Sequence, residues 1–186
     1  MDVFEKAIKF AVEAHGGDFR KGARTPYIVH PMEAAAIVAT MTDDEKVLTA
    51  AMLHDTVEDT GTTIEEIRAG FGEEVARLVA AESENKRDDL PSAETWKVRK
   101  METLDFLRDH ATREEKMVTL GDKLSNMRAI YRDYATIGDE IWKKFNQKDK
   151  AEHAWYYRGI GELLAELSDS FAYKEYMELV ERVFGE

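Results

Sequence analysis

The sequence predicts an all-α fold. Only three prolines, Pro26, Pro31 and Pro91, interrupt its 186 residues, and between them apolar residues recur at helical spacing rather than alternating as in strands. Two stretches have the spacing of a capping box and mark helix starts. With 44% hydrophobic residues the chain can bury one respectable core, so the expectation is a single domain over residues 1–186.

A first helix is expected at about residues 2–15, with Phe4, Ile8, Ala11, Val12 and His15 on one side. The loop GGDFRKGARTPYIVHP follows: its glycines and Pro26 break the helix, and Pro31 is placed to be the first residue of the next one, which carries EAAAIVATM. Thr42-Asp-Asp-Glu45 has capping-box spacing and opens a helix that runs on to Asp59. Thr62-Thr-Ile-Glu65 repeats the device for a short helix ending near Phe71-Gly72, and another runs from Glu73 to about Glu82. The polar stretch ESENKRDDLPSAE reads as a surface loop. It is not a domain boundary, because the helices on both sides are equally amphipathic and neither half alone has the apolar surface for a good core. Further helices are expected at about 92–109, 113–134, 137–145, 149–168 and 171–184. The chain has no convincing repeat, heptad run or low-complexity segment.

Composition narrows the function. Twenty-six basic against 38 acidic residues give a net charge of -12, a surface that repels duplex DNA and anionic membranes but leaves room for a local basic pocket that holds a small anion. There is no cysteine, so any metal site must rest on imidazole and carboxylate. No apolar run is long enough for a bilayer span, and MDVFEKAIKF carries acids where a secretory signal would be basic. A cytoplasmic protein without nucleic-acid or membrane partners is expected.

Within that frame the segment LHDTVEDT, residues 53–60, is anomalous. Val47, Ala50, Ala51 and His54 recur at i, i+3, i+4 and i+7, which puts His54 in the buried stripe. Asp55, Glu58 and Asp59 are spaced to share an inward-tending strip with it. Ionised carboxylates buried alone cost several kcal/mol or more, by order of magnitude, so a bound cation is their natural partner. "HD" by itself is weak, and a solitary core histidine is commonplace. The reading gains from His30 in PYIVHP and from Asp122 in LGDKLSNMR, on a helix whose apolar stripe includes Met117, Leu120, Leu124 and Met127. Two imidazoles and two carboxylates make a borderline-hard set suited to manganese or iron, and also to zinc or magnesium.

The order H…HD…D resembles that of the HD-domain phosphohydrolases. The segments Ala11–Gly17 (A-x-x-A-H-x-G), Arg20-Lys21, PYIVHP, AAMLHDTVEDT, FGEEVARLV and GDKLSNMR resemble, more narrowly, the hydrolase domain of RelA/SpoT-type alarmone enzymes, over about residues 7–130. The resemblance implies an HD-type helical bundle of about nine to ten helices and a stand-alone small alarmone hydrolase. Its substrate would be ppGpp or pppGpp, and it would release pyrophosphate from the 3′ position. It implies His30, His54, Asp55 and Asp122 as metal ligands with manganese as the ion, Glu58 and Asp59 as the catalytic pair, and Arg20, Lys21 and Asn126 as contacts to the guanine nucleotide. That division suits the chemistry: a metal acidifies its bound water, and an uncoordinated carboxylate takes the proton. A guanidinium stacks on a purine while an ammonium meets phosphate. Two other readings remain open: the same chemistry on another nucleotide such as NADPH, and a nucleotide-binding sensor without turnover. Ser125 and Ala129 stand where the large enzymes tend to have His and Thr, departures that touch the pocket rather than the metal.

Other polar and aromatic residues are read structurally. His15 is expected to be a structural imidazole near carbonyl oxygens, His110 and His153 to lie on the surface, and Trp96, Trp142, Phe145 and Trp155-Tyr156-Tyr157 to pack in the core. WKKFNQKDK reads as an exposed basic turn in which Asn146 and Lys148 are available to phosphate.

Overall fold

The computed structural model describes residues 2–85, 87 and 89–185, so Lys86 and Asp88 of the expected surface loop lie outside the described residues. It is all-helical, with ten α-helices among the described residues: α1 Val3–Ala14, α2 Val29–Val38, α3 Glu45–Leu53, α4 Thr56–Asp59, α5 Ile64–Phe71, α6 Glu73–Glu82, α7 Ser92–Asp109, α8 Arg113–Ile137, α9 Lys150–Leu163 and α10 Phe171–Phe184. The α2 and α8 helices pack most extensively on each other, α3 packs against both, α1 and α6 cover α3 with α5 on α6, and α10 covers α8 while α9 packs on α10 and α7. Most of α8 between Met117 and Met127 is buried, as expected for the central helix of a bundle.

Several boundaries differ from the sequence expectation. The stretch expected to be one helix to Asp59 stops after Leu53, and a separate turn, α4, follows the bend at His54-Asp55. The α3 N-cap is Asp44, whose carboxylate accepts from Lys46 N–H at 2.9 Å, so Thr42 and Glu45 do not form the box. The next box is real but one residue later, Thr63 with Glu66. Thr112 and Glu115 form a further capping box, at the start of α8, that the reading missed. Pro31 is the third residue of α2 rather than the first. The helix expected at 137–145 is a 3-10 helix, Gly138–Lys144, and α9 ends at Leu163 before a 3-10 turn at Ala165–Leu167.

The loop between α1 and α2 folds back on itself. Arg20 N–H donates to Thr25 carbonyl and Tyr27 N–H to Asp18 carbonyl, both at 2.9 Å, around a single bridge between Phe19 and Pro26. Gly22 permits the reversal with φ of 73°. This small hairpin holds Arg20, Lys21 and Tyr27 over the groove between α2 and α8.

Close approach of α2 and α8 is set by a glycine. A Cβ on Gly121 would lie 2.7 Å from Val38 Cγ2 and 2.9 Å from Ala34 carbonyl oxygen. Since Gly121 precedes Asp122, this contact sets how near the α8 carboxylate comes to His30 on α2. The substitution Gly121→Ala is expected to lower stability by about 1–2 kcal/mol, overpacking outweighing the helix-propensity gain of alanine. Urea unfolding would read this as a lower midpoint at unchanged slope, and an unchanged midpoint would contradict the contact.

Candidate functional site

His30, in the first turn of α2, His54, just past the end of α3, and Asp122, midway along α8, are all buried and face one point, their ligand-type atoms lying within 4.8 Å of one another. The Nε2 of His30 is 3.1 Å from Asp122 Oδ1 and 3.3 Å from Asp55 Oδ2. The Nε2 of His54 is 3.1 Å from Asp55 Oδ2, 3.7 Å from Asp122 Oδ1 and 3.3 Å from His30 Nε2. All four residues named from the sequence therefore meet in space.

The bend after Leu53 contributes to this geometry. Ending a helix strands its last carbonyls, and two of them are taken up locally. His54 Nδ1 lies 2.8 Å from Ala51 carbonyl, and Thr56 hydroxyl donates to Leu53 carbonyl at 2.7 Å. Because a carbonyl only accepts, His54 Nδ1 carries a hydrogen, and its Nε2 is left to face the carboxylates. Burial opposes charge here, but Asp55 and Asp122 together hold the His54 imidazolium well above the usual histidine range. Against the same burial, His54 and His30 hold the Asp55 carboxyl well below the usual carboxylate range. The site thus demands positive charge. Two imidazole nitrogens and two carboxylates converging on one point fit a divalent cation on the same terms.

The expected catalytic pair lies together on α4, but consecutive helical residues point about 100° apart and the two carboxylates diverge. Glu58 is half-buried and accepts from Glu84 N–H at 3.2 Å, whereas Asp59 is exposed and lies 2.8 Å from Tyr27 hydroxyl. The expectation that all four polar groups of the segment line one inward strip holds for His54 and Asp55 but not for Asp59, which is exposed on α4 and meets the Tyr27 hydroxyl instead. Burial, with the nearby charges of Glu84 and Asp55, pushes the Glu58 carboxyl up to about 7. A carboxylate with that value can both take and return a proton near neutrality.

The site opens into a cleft of about 330 Å³ bordered by Arg20, Lys21, Tyr27, Asn126, Phe145 and Tyr157. Arg20 Nη2 donates to Asn126 Oδ1 at 2.8 Å, and Asn126 Nδ2 donates to Asp122 Oδ1 at 2.5 Å, so the hairpin, the cleft and the metal-site carboxylate form one chain of bonds. Arg20 also lies 5.5 Å from the centre of the Tyr27 ring. Arg20, Lys21, Arg132 and Lys144 against Glu33 and Asp133 make the cleft lining net basic in an acidic chain. Ala129 lies in that lining.

Three partners were not singled out from the sequence. Tyr27 hydroxyl sits 2.7 Å from Asp55 Oδ2 as well as near Asp59, and it falls inside the PYIVHP motif, which was signal enough. Lys123 forms an ion pair with Asp122 and lies next to it in sequence. Glu84 accepts from Arg99 at 2.7 Å and Lys100 at 2.5 Å, pairs that span a polar loop and leave no local pattern. Other readings are corrected. His153 is buried, not on the surface, and stacks on Trp142 with ring centres 4.9 Å apart. His15 is buried against the Tyr27 ring at 4.8 Å, and neither of its nitrogens reaches a carbonyl or any other hydrogen-bond partner among the described residues. Lys148 donates to the carbonyls of Lys143 and Phe145, so its ammonium closes a turn. Asn146 accepts from Lys21 at 3.3 Å at the rim of the cleft.

A family profile described as HD domain matches residues 7–150. The chain belongs to the HD-domain family. A guanosine-3′,5′-bis(diphosphate) 3′-pyrophosphohydrolase, MESH1, of Danio rerio is 39% identical to this HD domain over 133 residues, 70% of each chain. The crystal structure of lmo0812 from Listeria monocytogenes superimposes with a TM-score of 0.74 at 34% identity, covering 84% of this chain and 99% of that one. A metazoan ortholog of SpoT that hydrolyses ppGpp has the same fold, with a TM-score of 0.76 at 24% identity over 98% of this chain and 95% of that one.

Behind the site, Glu82 accepts a hydrogen bond from Thr119, and burial pushes its carboxyl up to about 7 against the pull of Lys123. A carboxyl whose pKa is higher folded than unfolded favours the fold below its ordinary value of about 4.5, and that contribution fades as pH rises to about 7. Removing the charge with Glu82→Gln should therefore flatten the stability profile over that window, by up to about 3 kcal/mol between its ends. Denaturant midpoints at pH 4.5 and pH 8 would check this; parallel profiles for the two proteins would contradict it.

Proposed function

We propose that the chain is a metal-dependent guanosine-3′,5′-bis(diphosphate) 3′-pyrophosphohydrolase, which hydrolyses ppGpp and pppGpp to GDP and GTP with release of pyrophosphate. The observation that carries the reading is the convergence of His30, His54, Asp55 and Asp122, with His30 lining a net basic cleft and the half-buried Glu58 on the α4 turn that follows Asp55. Relatives 39% identical and bearing that activity in their name support it.

In this reading those four residues hold the divalent ion, manganese by preference, and the whole chain works as one cytoplasmic hydrolase domain. The ion supplies Lewis acidity, lowering the pKa of a water and countering charge on the phosphoryl oxygens. Glu58 takes the proton from the attacking water, its raised carboxyl being matched to neutral pH. Asp59, tied to Tyr27 together with Asp55, orients the attack and fixes Asp55. Arg20 has its guanidinium available to stack on the purine, Lys21 meets phosphate at the rim, and Asn126 links the nucleotide cleft to Asp122. Water adds across the bond between the diphosphate and the ribose 3′ oxygen, which leaves as a hydroxyl.

Pyrophosphate release from ppGpp by the manganese-loaded protein tests the activity, with GTP and NADPH run alongside. Turnover of NADPH alone would keep the mechanism and move the substrate, and binding without turnover of any of them would indicate a sensor. Glu58→Gln should keep its metal and lose on the order of 10²–10⁴-fold in turnover; near-normal turnover would remove Glu58 from the mechanism. His54→Ala or Asp122→Ala should abolish both metal uptake and the rise in melting temperature that the metal confers, and full metal content in either purified variant would refute the ligand assignment.

A further inference from the structure

The two histidines of the centre are oriented by different means. His54 is held by a backbone carbonyl, whereas His30 Nδ1 lies 2.8 Å from Ser125 Oγ on α8. A hydroxyl can donate or accept, so that contact alone does not say which ring nitrogen carries the hydrogen. The next bond decides it. Ser125 Oγ lies 2.7 Å from Glu33 Oε2, and an ionised carboxylate only accepts. The single hydroxyl hydrogen of Ser125 is therefore committed to Glu33, Ser125 Oγ accepts from His30 Nδ1–H, and His30 Nε2 presents its lone pair to the centre.

The chain of bonds continues outward. Glu33 Oε1 accepts from Arg128 Nη1 at 3.0 Å, and the same guanidinium makes two 2.7 Å bonds to Glu175 on α10. Ser125 is buried in the intact protein, with Glu33 covering it from the cleft side. Ser125 and Arg128 are three apart on α8, and His30 and Glu33 three apart on α2, which places each pair on one face. The relay thus runs straight across the α2–α8 seam and out to α10.

We propose that Ser125 and Glu33 are positioning residues for the metal centre: they fix the tautomer and ring orientation of His30, and Arg128 with Glu175 anchors Glu33 in place. Partners of this kind typically change metal affinity 10- to 100-fold when removed. The inference rests on His30 being a metal ligand, and the experiment separates the two.

Binding of manganese(II) alone is measured by the electron-paramagnetic signal of the free ion, with no substrate present, in the native protein and in Ser125→Ala, Glu33→Ala, the double variant and His30→Ala. Ser125→Ala deletes one buried oxygen and is expected to keep the fold, checked by circular dichroism; its affinity should fall 10- to 100-fold. Glu33→Ala should fall similarly, and the double variant no further than the weaker single, because both act through one chain of bonds. Glu33→Gln, which keeps an acceptor for Ser125, should recover part of the loss. A generally loosened structure would instead give additive losses and no recovery. Native affinity in Ser125→Ala, with binding lost in His30→Ala, would overturn the relay and leave the ligand set standing. Native affinity in His30→Ala would overturn both.

Discussion

Mutual repulsion among buried ligand atoms is the constraint around which this fold is arranged. Two imidazole nitrogens 3.3 Å apart face two carboxylate oxygens in a region almost closed to water. Such a group is stable only with positive charge at its centre, supplied by a proton on His54 or by a cation. The helices that carry it must come close and stay close, and the small residues Gly121 and Ala34 at the α2–α8 crossing let them. The bend after Leu53 belongs to the same constraint, since it frees the Ala51 carbonyl to hold one imidazole in the required orientation.

Around this centre the charges are sorted by depth. Lys123 and Asn126 reach Asp122 from its own helix, and Tyr27 reaches Asp55 from the hairpin. On one side a net basic cleft is lined by residues of the hairpin, α8 and the 3-10 segment. On the other, Glu84 gathers Arg99, Lys100 and Thr103 of α7 and offers its backbone N–H to Glu58. An acidic protein can handle an anionic substrate in this way because the four basic groups of the cleft make its local potential positive. The excess acid lies outside that cleft.

The site was more legible than the details of the fold. His54 could be named because it falls in an apolar stripe, Asp55 because it adjoins it and Asp122 because it sits on a striped helix, while His30 stands in the PYIVHP motif; their order along the chain resembles a family pattern. Glu33 and Glu84 could not be named, and Ser125 was assigned to the pocket rather than to the His30 ring it meets, because their meaning lies in contacts across 92, 95 or 15–19 positions of sequence that no local spacing encodes. The misplaced capping boxes have a comparable cause: Thr42 and Asp44, or Thr62 and Thr63, are equally competent N-caps, and packing chooses between them. His153 was misplaced because a single polar residue on an amphipathic helix has no local marker for whether Trp142 will cover it.

Periodicity and proline placement were enough to determine an all-helical chain, and spacing together with motif order was enough to identify the four polar residues that converge within it. Both are local properties, written in the spacing of residues one or two helical turns apart. Tertiary structure decided where the helix breaks at His54, how Glu58 and Asp59 part company, which nitrogen of each imidazole faces inward, and what lines the cleft. Those outcomes depend on which distant groups satisfy each buried hydrogen-bonding atom, and burial is a property of the packed chain rather than of any segment of it.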